Sequence, residues 1–133
     1  MKFFHISHTD LDGFGCQLTT QKIFPDAIYY NANYGIEVKM FLKDALEQIA
    51  LSDKNEDIFL LITDLNLTPD ESKKLDREIT NLNNDGFTIT LQLLDHHGTG
   101  QKRADKYDWY YLDTSRSATK ITYDYFCEHY TEF

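Results

Sequence analysis

Short apolar runs recur along the chain, separated by segments with helical spacing. Lys2 to Ser7 (KFFHIS), Ala27 to Asn31 (AIYYN), Ile58 to Thr63 (IFLLIT), Thr88 to Leu94 (TITLQLL) and Trp109 to Leu112 (WYYL) are rich in aromatic, Ile and Leu residues, as strands buried on both faces are. Thr68-Pro69-Asp70-Glu71 supplies a capping hydroxyl, a proline for the first turn and an acid to close a capping box; Leu75, Ile79 and Leu82 then mark one helical face, and Asn84-Asp85-Gly86 ends it. Gly13 to Phe24, Ile36 to Ile49 and Ser117 to His129 carry similar spacing. The resulting order, β-α-β-α-β-α-β-loop-β-α, with right-handed crossovers, predicts an α/β fold: a mainly parallel five-stranded sheet with helices on both faces. The stretch from Leu94 to Trp109 is too short for an ordinary crossover helix and is expected to be irregular.

A length of 133 residues suits one domain, spanning the whole chain, and the 6 Gly and 2 Pro are too scattered to mark a linker. Thirteen Lys+Arg against 22 Asp+Glu leave a net charge of −9, which excludes an extended basic nucleic-acid surface and favours small substrates. The 2 cysteines, Cys16 and Cys127, read as reduced thiols. No apolar run approaches the length of a membrane span, and the opening MKFFHISHTD turns polar before a signal core forms. A cytoplasmic protein with no membrane partner is expected, its oligomeric state left open.

In open parallel sheets ligands bind beyond the carboxyl ends of the strands, and there this sequence concentrates its chemistry. His8-Thr9-Asp10-Leu11-Asp12-Gly13 follows the first strand, with Gly13 and Gly15 expected to ease the turn into a helix. Asp64 ends the third strand, Asp95-His96-His97-Gly98 follows the fourth, and Asp113-Thr114-Ser115-Arg116-Ser117 the fifth. Taken singly, an Asp past a strand is more often a cap or turn former, which is the reading for Asp113, and a His pair is more often an ordinary polar turn. Independent caps, however, need not supply His and Asp at three successive carboxyl ends, so the joint pattern points to metal. Carboxylates with imidazole and no thiolate suit Mn²⁺ or Mg²⁺. Two such cations roughly 3.5–4 Å apart are the standard device for hydrolysis at phosphorus, and they need a bridging carboxylate, for which Asp64 is placed.

HisThrAspLeuAspGly, the strand-end Asp64 and AspHisHis resemble, in order and context, the first three motifs of the DHH phosphoesterase superfamily. Leu112 to Thr119 (LDTSRSAT) resembles the Ser/Ala-rich segment that opens the next helix in that family. Members include oligoribonucleases, single-strand exonucleases, cyclic-dinucleotide phosphodiesterases and family II pyrophosphatases; the last usually carry HxxxDxD where this chain has HxDxD. The resemblance implies that His8 and Asp10 hold one Mn²⁺, Asp12 and His96 the other, and Asp64 bridges. It implies that His97 faces the substrate phosphate or leaving oxygen and that Asp95 orients a histidine. Arg116 and the amides near Ser117 are expected at a second phosphate. The implied activity is hydrolysis of short oligonucleotides or nucleotide phosphates.

The family's fourth motif, an Asp on a further strand, and its separate C-terminal substrate-binding domain have no counterpart before Phe133. The expectation is therefore a DHH domain cut short, with an under-liganded second metal and slow turnover. The alternative from another class is a non-catalytic domain that binds metal or nucleotide as a sensor.

Overall fold

Five strands, β1 (Lys2–His8), β2 (Ile28–Ala32), β3 (Asp57–Thr63), β4 (Thr88–Asp95) and β5 (Tyr110–Leu112), pair in parallel in the order β2-β1-β3-β4-β5. The structure, a computed structural model, describes residues 1–130. The helices are α1 (Leu11–Gln21), α2 (Ile36–Ala50), α3 (Pro69–Asn84), α4 (Gln101–Lys106) and α5 (Ala118–His129). Among the described residues no helix is long and apolar enough to cross a membrane.

Because successive strand residues point to opposite faces, the apolar runs feed two cores. Phe4 and Ile6 of β1, Ile58, Leu60 and Ile62 of β3, and Leu93 of β4 pack with Val38, Leu42, Ala45 and Ile49 of α2 and Leu75 and Ile79 of α3. Phe3, Phe59, Leu61 and Leu94 pack on the other face with Ile121 and Phe126 of α5. Ile58, Leu60, Leu61 and Ile62 of the central strand β3 are all 1% exposed or less, each contributing roughly 1.5–3 kcal/mol of apolar burial. That double-sided burial explains why β3 shows a continuous apolar run rather than alternation.

The helix starts follow local chemistry. The capping box at Thr68 forms in full, with Pro69 in the first turn, and Gly86 leaves α3 at φ 103°. α1 begins earlier than the spacing from Gly13 suggests because Asp10 caps it, its carboxylate accepting the Gly13 N–H at 2.8 Å. The stretch expected to be irregular instead contains a 3-10 turn (Gly98–Gly100) and the six-residue α4. Six residues complete under two turns, too few to display a period, and α4 has no fully buried residue to mark a face.

Gly13 and Gly15, expected to ease the turn into the helix, do not have positive φ; both serve close approach instead. A Cβ on Gly13 would lie 2.0 Å from the backbone oxygen of His8, and one on Gly15 2.4 Å from Thr119 Oγ1. α1 thus lies directly against the end of β1 on one side and the start of α5 on the other. The order of the sheet places β2 and β3 on opposite sides of β1, so crossovers leave the β1 and β3 carboxyl ends in opposite directions and open a crevice there.

Gly13→Ala is expected to destabilise the protein at or beyond the upper end of the ~1–3 kcal/mol that overpacking costs, since the obstacle is backbone. Gly35→Ala, where φ is 93° but a Cβ meets nothing within 4 Å, is expected to cost about 1 kcal/mol of backbone strain. Chemical denaturation of the two variants checks the contrast; equal costs would refute close approach as the reason for Gly13.

Candidate metal centre

The crevice at the β1 and β3 ends gathers the residues that the sequence placed at separate strand ends. Asp64 stands at its centre. Its backbone leaves β3 in the left-handed region at φ 57°, the only described non-glycine residue with positive φ, a conformation that Asp tolerates better than most residues but that still carries strain. The turn ties in at once, because the Asp64 N–H donates to the Leu94 carbonyl of β4 at 3.1 Å. The side chain is fully buried.

On one side of Asp64 stand His8 and Asp10. His8 Nδ1 lies 3.0 Å from Asp10 Oδ2 and 4.0 Å from Asp64 Oδ2, and donor atoms of the three lie within 4.8 Å of one another. On the other side, His96 Nε2 lies 3.0 Å from Asp64 Oδ1 and 3.5 Å from Asp12 Oδ2. Asp64, Asp95, His96 and His97 form a second group whose donor atoms also lie within 4.8 Å of one another. Asp64 belongs to both groups.

The charge in this cluster is uncompensated. Burial first, and then the carboxylates of Asp10, Asp12 and Asp95, push the Asp64 pKa up to about 9. Its Oδ2 is buried and accepts no N–H or hydroxyl hydrogen bond. For Asp10, burial acts to raise the pKa, but contact with Asp64, the Gly13 N–H and His8 outweigh it and hold the carboxyl at about 2. Without a cation the pair therefore shares its burden unequally, Asp64 keeping a proton and Asp10 the charge. A buried carboxylate oxygen with no donor, flanked by imidazoles and further carboxylates, matches what a hard divalent cation requires.

Asp95 and His97 form a pair of their own. His97 Nδ1–H donates to the buried Asp95 Oδ1 at 2.7 Å, which fixes the ring and turns Nε2 the other way. Asp95 Oδ2 is a second buried oxygen without a hydrogen bond.

Other predicted site residues have different partners. The N–H groups of Ala118 and Thr119, at the start of α5, donate to the two carboxylate oxygens of Asp12 at 3.0 and 2.9 Å, and the Thr119 hydroxyl lies 2.6 Å from Asp12 Oδ1. A carboxylate of this chain thus occupies the helix N-terminus where a phosphate was expected. Ser117 caps α5 by accepting the Lys120 N–H at 3.1 Å. Arg116 donates at 2.6 Å to Asp113, Asp124 and the Tyr111 hydroxyl and lines a cleft of 760 Å³ beside β5. Asp113 also accepts the Ser115 N–H at 2.9 Å, the turn-forming role expected of it.

Three contributors had no clear signal in the sequence. Thr119 anchors Asp12; only its place in the Ser/Ala-rich segment hinted at this. Asn66 Oδ1 accepts from Arg103 at 3.1 Å and from the Tyr110 hydroxyl at 3.0 Å, while its amide donates to Thr99 Oγ1, fastening the loop after Asp64 to the segment after His97. Tyr34, between β2 and α2, sets its ring 5.1 Å from that of His8 and accepts the Asn66 N–H at 3.1 Å.

No family model matches the chain. The chain is 42% identical over 130 residues to a protein of Helicobacter pylori (strain ATCC 700392 / 26695) named 3′,5′-cyclic-nucleotide phosphodiesterase, with 98% of this chain and 37% of the relative covered. A crystal structure of an uncharacterized protein from Helicobacter pylori G27 superposes with a TM-score of 0.93 at 42% identity, covering 98% of this chain and 37% of that one. The chain thus spans a little over a third of the length of the relatives it matches.

A raised pKa means that the folded state holds the Asp64 proton more tightly than the unfolded chain. The associated stability is complete below the ordinary value of 3.8 and is lost as pH rises towards 9. Metal-free protein is therefore expected to lose thermal stability relative to Asp64→Asn as pH rises from about 4 to 9, with an added divalent cation restoring it in the parent alone. His5, fully buried and held by that burial at about 3, opposes folding on the acid side in both proteins and cancels in the difference. Parallel pH profiles of the two midpoints would contradict a buried, proton-retaining Asp64.

Proposed function

We propose that this chain is the metal-holding domain of a DHH-superfamily phosphodiesterase that hydrolyses small nucleotide phosphodiesters with two Mn²⁺ ions, Mg²⁺ being the alternative metal. The carrying observation is Asp64: a buried carboxylate belonging to two donor groups at once, one oxygen without a hydrogen-bond donor. The name of the Helicobacter pylori relative supports a nucleotide substrate, and the net charge of −9 favours a small one.

When bound, divalent cations supply a lowered pKa for water and counter-charge for phosphoryl oxygens. His8 and Asp10 would hold one ion, Asp12 and His96 the other, with Asp64 shared. Asp10 is held in place by capping α1, and Asp12 by the amides at the start of α5; both carboxylates are thus oriented before any ion arrives. Asp95 fixes the His97 ring through Nδ1, so that Nε2 presents a hydrogen bond or proton to a phosphate or leaving oxygen. Arg116 and Ser117 act at one remove, by fastening the segment whose amides hold Asp12.

Mn²⁺-dependent hydrolysis of 3′,5′-cyclic AMP and of a short oligonucleotide, read beside Mn²⁺ binding by calorimetry, tests this reading. His97→Ala is expected to lower turnover about 10²-fold or more with metal binding retained, and Asp64→Ala to abolish both. Two Mn²⁺ bound with no phosphodiester hydrolysed would leave the sensor reading in its place.

A further inference from the structure

An aromatic ring stands beside the proposed metal centre with much of its surface open. Tyr34 is 48% exposed, yet it is held at both ends. Its ring lies 5.1 Å from that of His8, inclined at 39°, and its oxygen accepts the Asn66 N–H at 3.1 Å, two residues past Asp64. The loop that carries it is fastened as well. The neighbouring Asn33 accepts the Thr9 hydroxyl at 2.6 Å and donates its N–H to Glu37 at 2.8 Å, and Gly35, at φ 93°, turns the chain into α2. Burial of the hydroxyl end, together with the nearby acids Asp95 and Asp64, raises the phenol to about 12, so the ring is neutral at physiological pH.

The other exposed tyrosines among the described residues are placed differently. Tyr111 and Tyr123 have cations over their rings, Arg116 at 5.9 Å and Lys120 at 5.3 Å. Tyr34 instead flanks a residue of the acidic cluster. A large apolar ring left in water beside a polar centre, rigidly held but not covered, has the form of a stacking surface. Stacking is tolerant of base identity, because every base has a π-face. The distance also suits a nucleotide: a base lies one sugar away from the phosphate, and Tyr34 lies one imidazole away from the His8 side of the cluster.

We propose that Tyr34 is the base-stacking residue of this site, receiving the nucleobase of a nucleotide whose phosphate is held at the His8–Asp10–Asp64 group. The inference rests on the metal-site reading above and deepens it, assigning to one residue the recognition of the nucleotide's base. Substrate selection would then turn on the presence of an aromatic base and only weakly on which base it is.

Calorimetry on the 133-residue chain with Mn²⁺ present, using adenosine 5′-monophosphate and inorganic phosphate as probes, separates the possibilities. Adenosine 5′-monophosphate is expected to bind the parent about tenfold more tightly than phosphate. Tyr34→Ala and Tyr34→Leu should both remove that advantage while leaving the affinities for Mn²⁺ and phosphate unchanged; Tyr34→Phe, which keeps the π-face, should stay within about twofold of the parent. The leucine variant preserves bulk, so a loss shared by both variants cannot be ascribed to collapse of the loop. Equal binding of the two probes by the parent would overturn the stacking role and leave the metal site standing, as would a Tyr34 variant in which phosphate affinity falls in step with that of the nucleotide. No Mn²⁺ bound by the parent would remove the metal-site reading, and this inference with it.

Discussion

The arrangement at the sheet's edge depends on the cost of burying one carboxylate. Asp64 is removed from water with one oxygen lacking a donor, and holding it ionised there without a counter-charge would consume an appreciable share of a domain's net stability. Two remedies are open to the chain, a proton or a cation. The first neutralises Asp64 but leaves the charge of Asp10 beside it; the second would offset the charge of both. Much of the surrounding detail follows from keeping both remedies available: imidazoles on either side, a left-handed backbone that aims the side chain into the crevice, and no lysine or arginine in salt-bridge contact with it among the described residues.

Rigidity around this charge comes from contacts between segments far apart in sequence. α1 presses against the end of β1 closely enough that Gly13 has no room for a methyl group, and against α5 closely enough that Gly15 has none either. Asp12 leaves α1 and is met by two backbone amides and a hydroxyl of α5. Behind the crevice, His5 Nε2, Thr63 Oγ1 and Ser7 Oγ form a buried polar chain with spacings of 2.7 and 2.8 Å, fixing the end of β3 just before Asp64. The proposed ligands therefore stand on a braced platform, as a site that must hold its geometry requires.

The element order was legible because burial on both faces of β3 writes a continuous apolar run, because β1 and β4 are rich in aromatic, Ile and Leu residues, and because Thr68 to Glu71 carries complete capping chemistry. α4 was not legible, being too short for a period and too exposed for a face. The gathering of His8, Asp10, Asp12, Asp64 and His96 followed from topology: residues at successive carboxyl ends of parallel strands share an edge whatever their separation in sequence. Gly13 and Gly15 serving close approach, and the α5 amides holding Asp12, went unread for one common reason. Each depends on what another segment brings to within a few ångströms, and neither helix period nor strand alternation encodes close approach. Tyr34 and Asn66 were silent for the same reason, each an ordinary loop residue until the fold sets it beside His8 or Arg103.

The clasp between Asp12 and α5 spans 106 and 107 positions of sequence, and this separation gives the centre a history as well as a shape. The partners of Asp12 on α5 lie near the far end of the described residues, so the clasp cannot close until α5 has been made. His8, Asp10 and Asp64 can be assembled once β3 has paired with β1, while α5 is still being synthesised. Asp12 is locked only when α5 docks. The two sides of the cluster are thus expected to mature in sequence, the first as the sheet zips together and the second as the chain's final described segment settles, so that the full charge of the centre is concentrated only in a chain that has already folded.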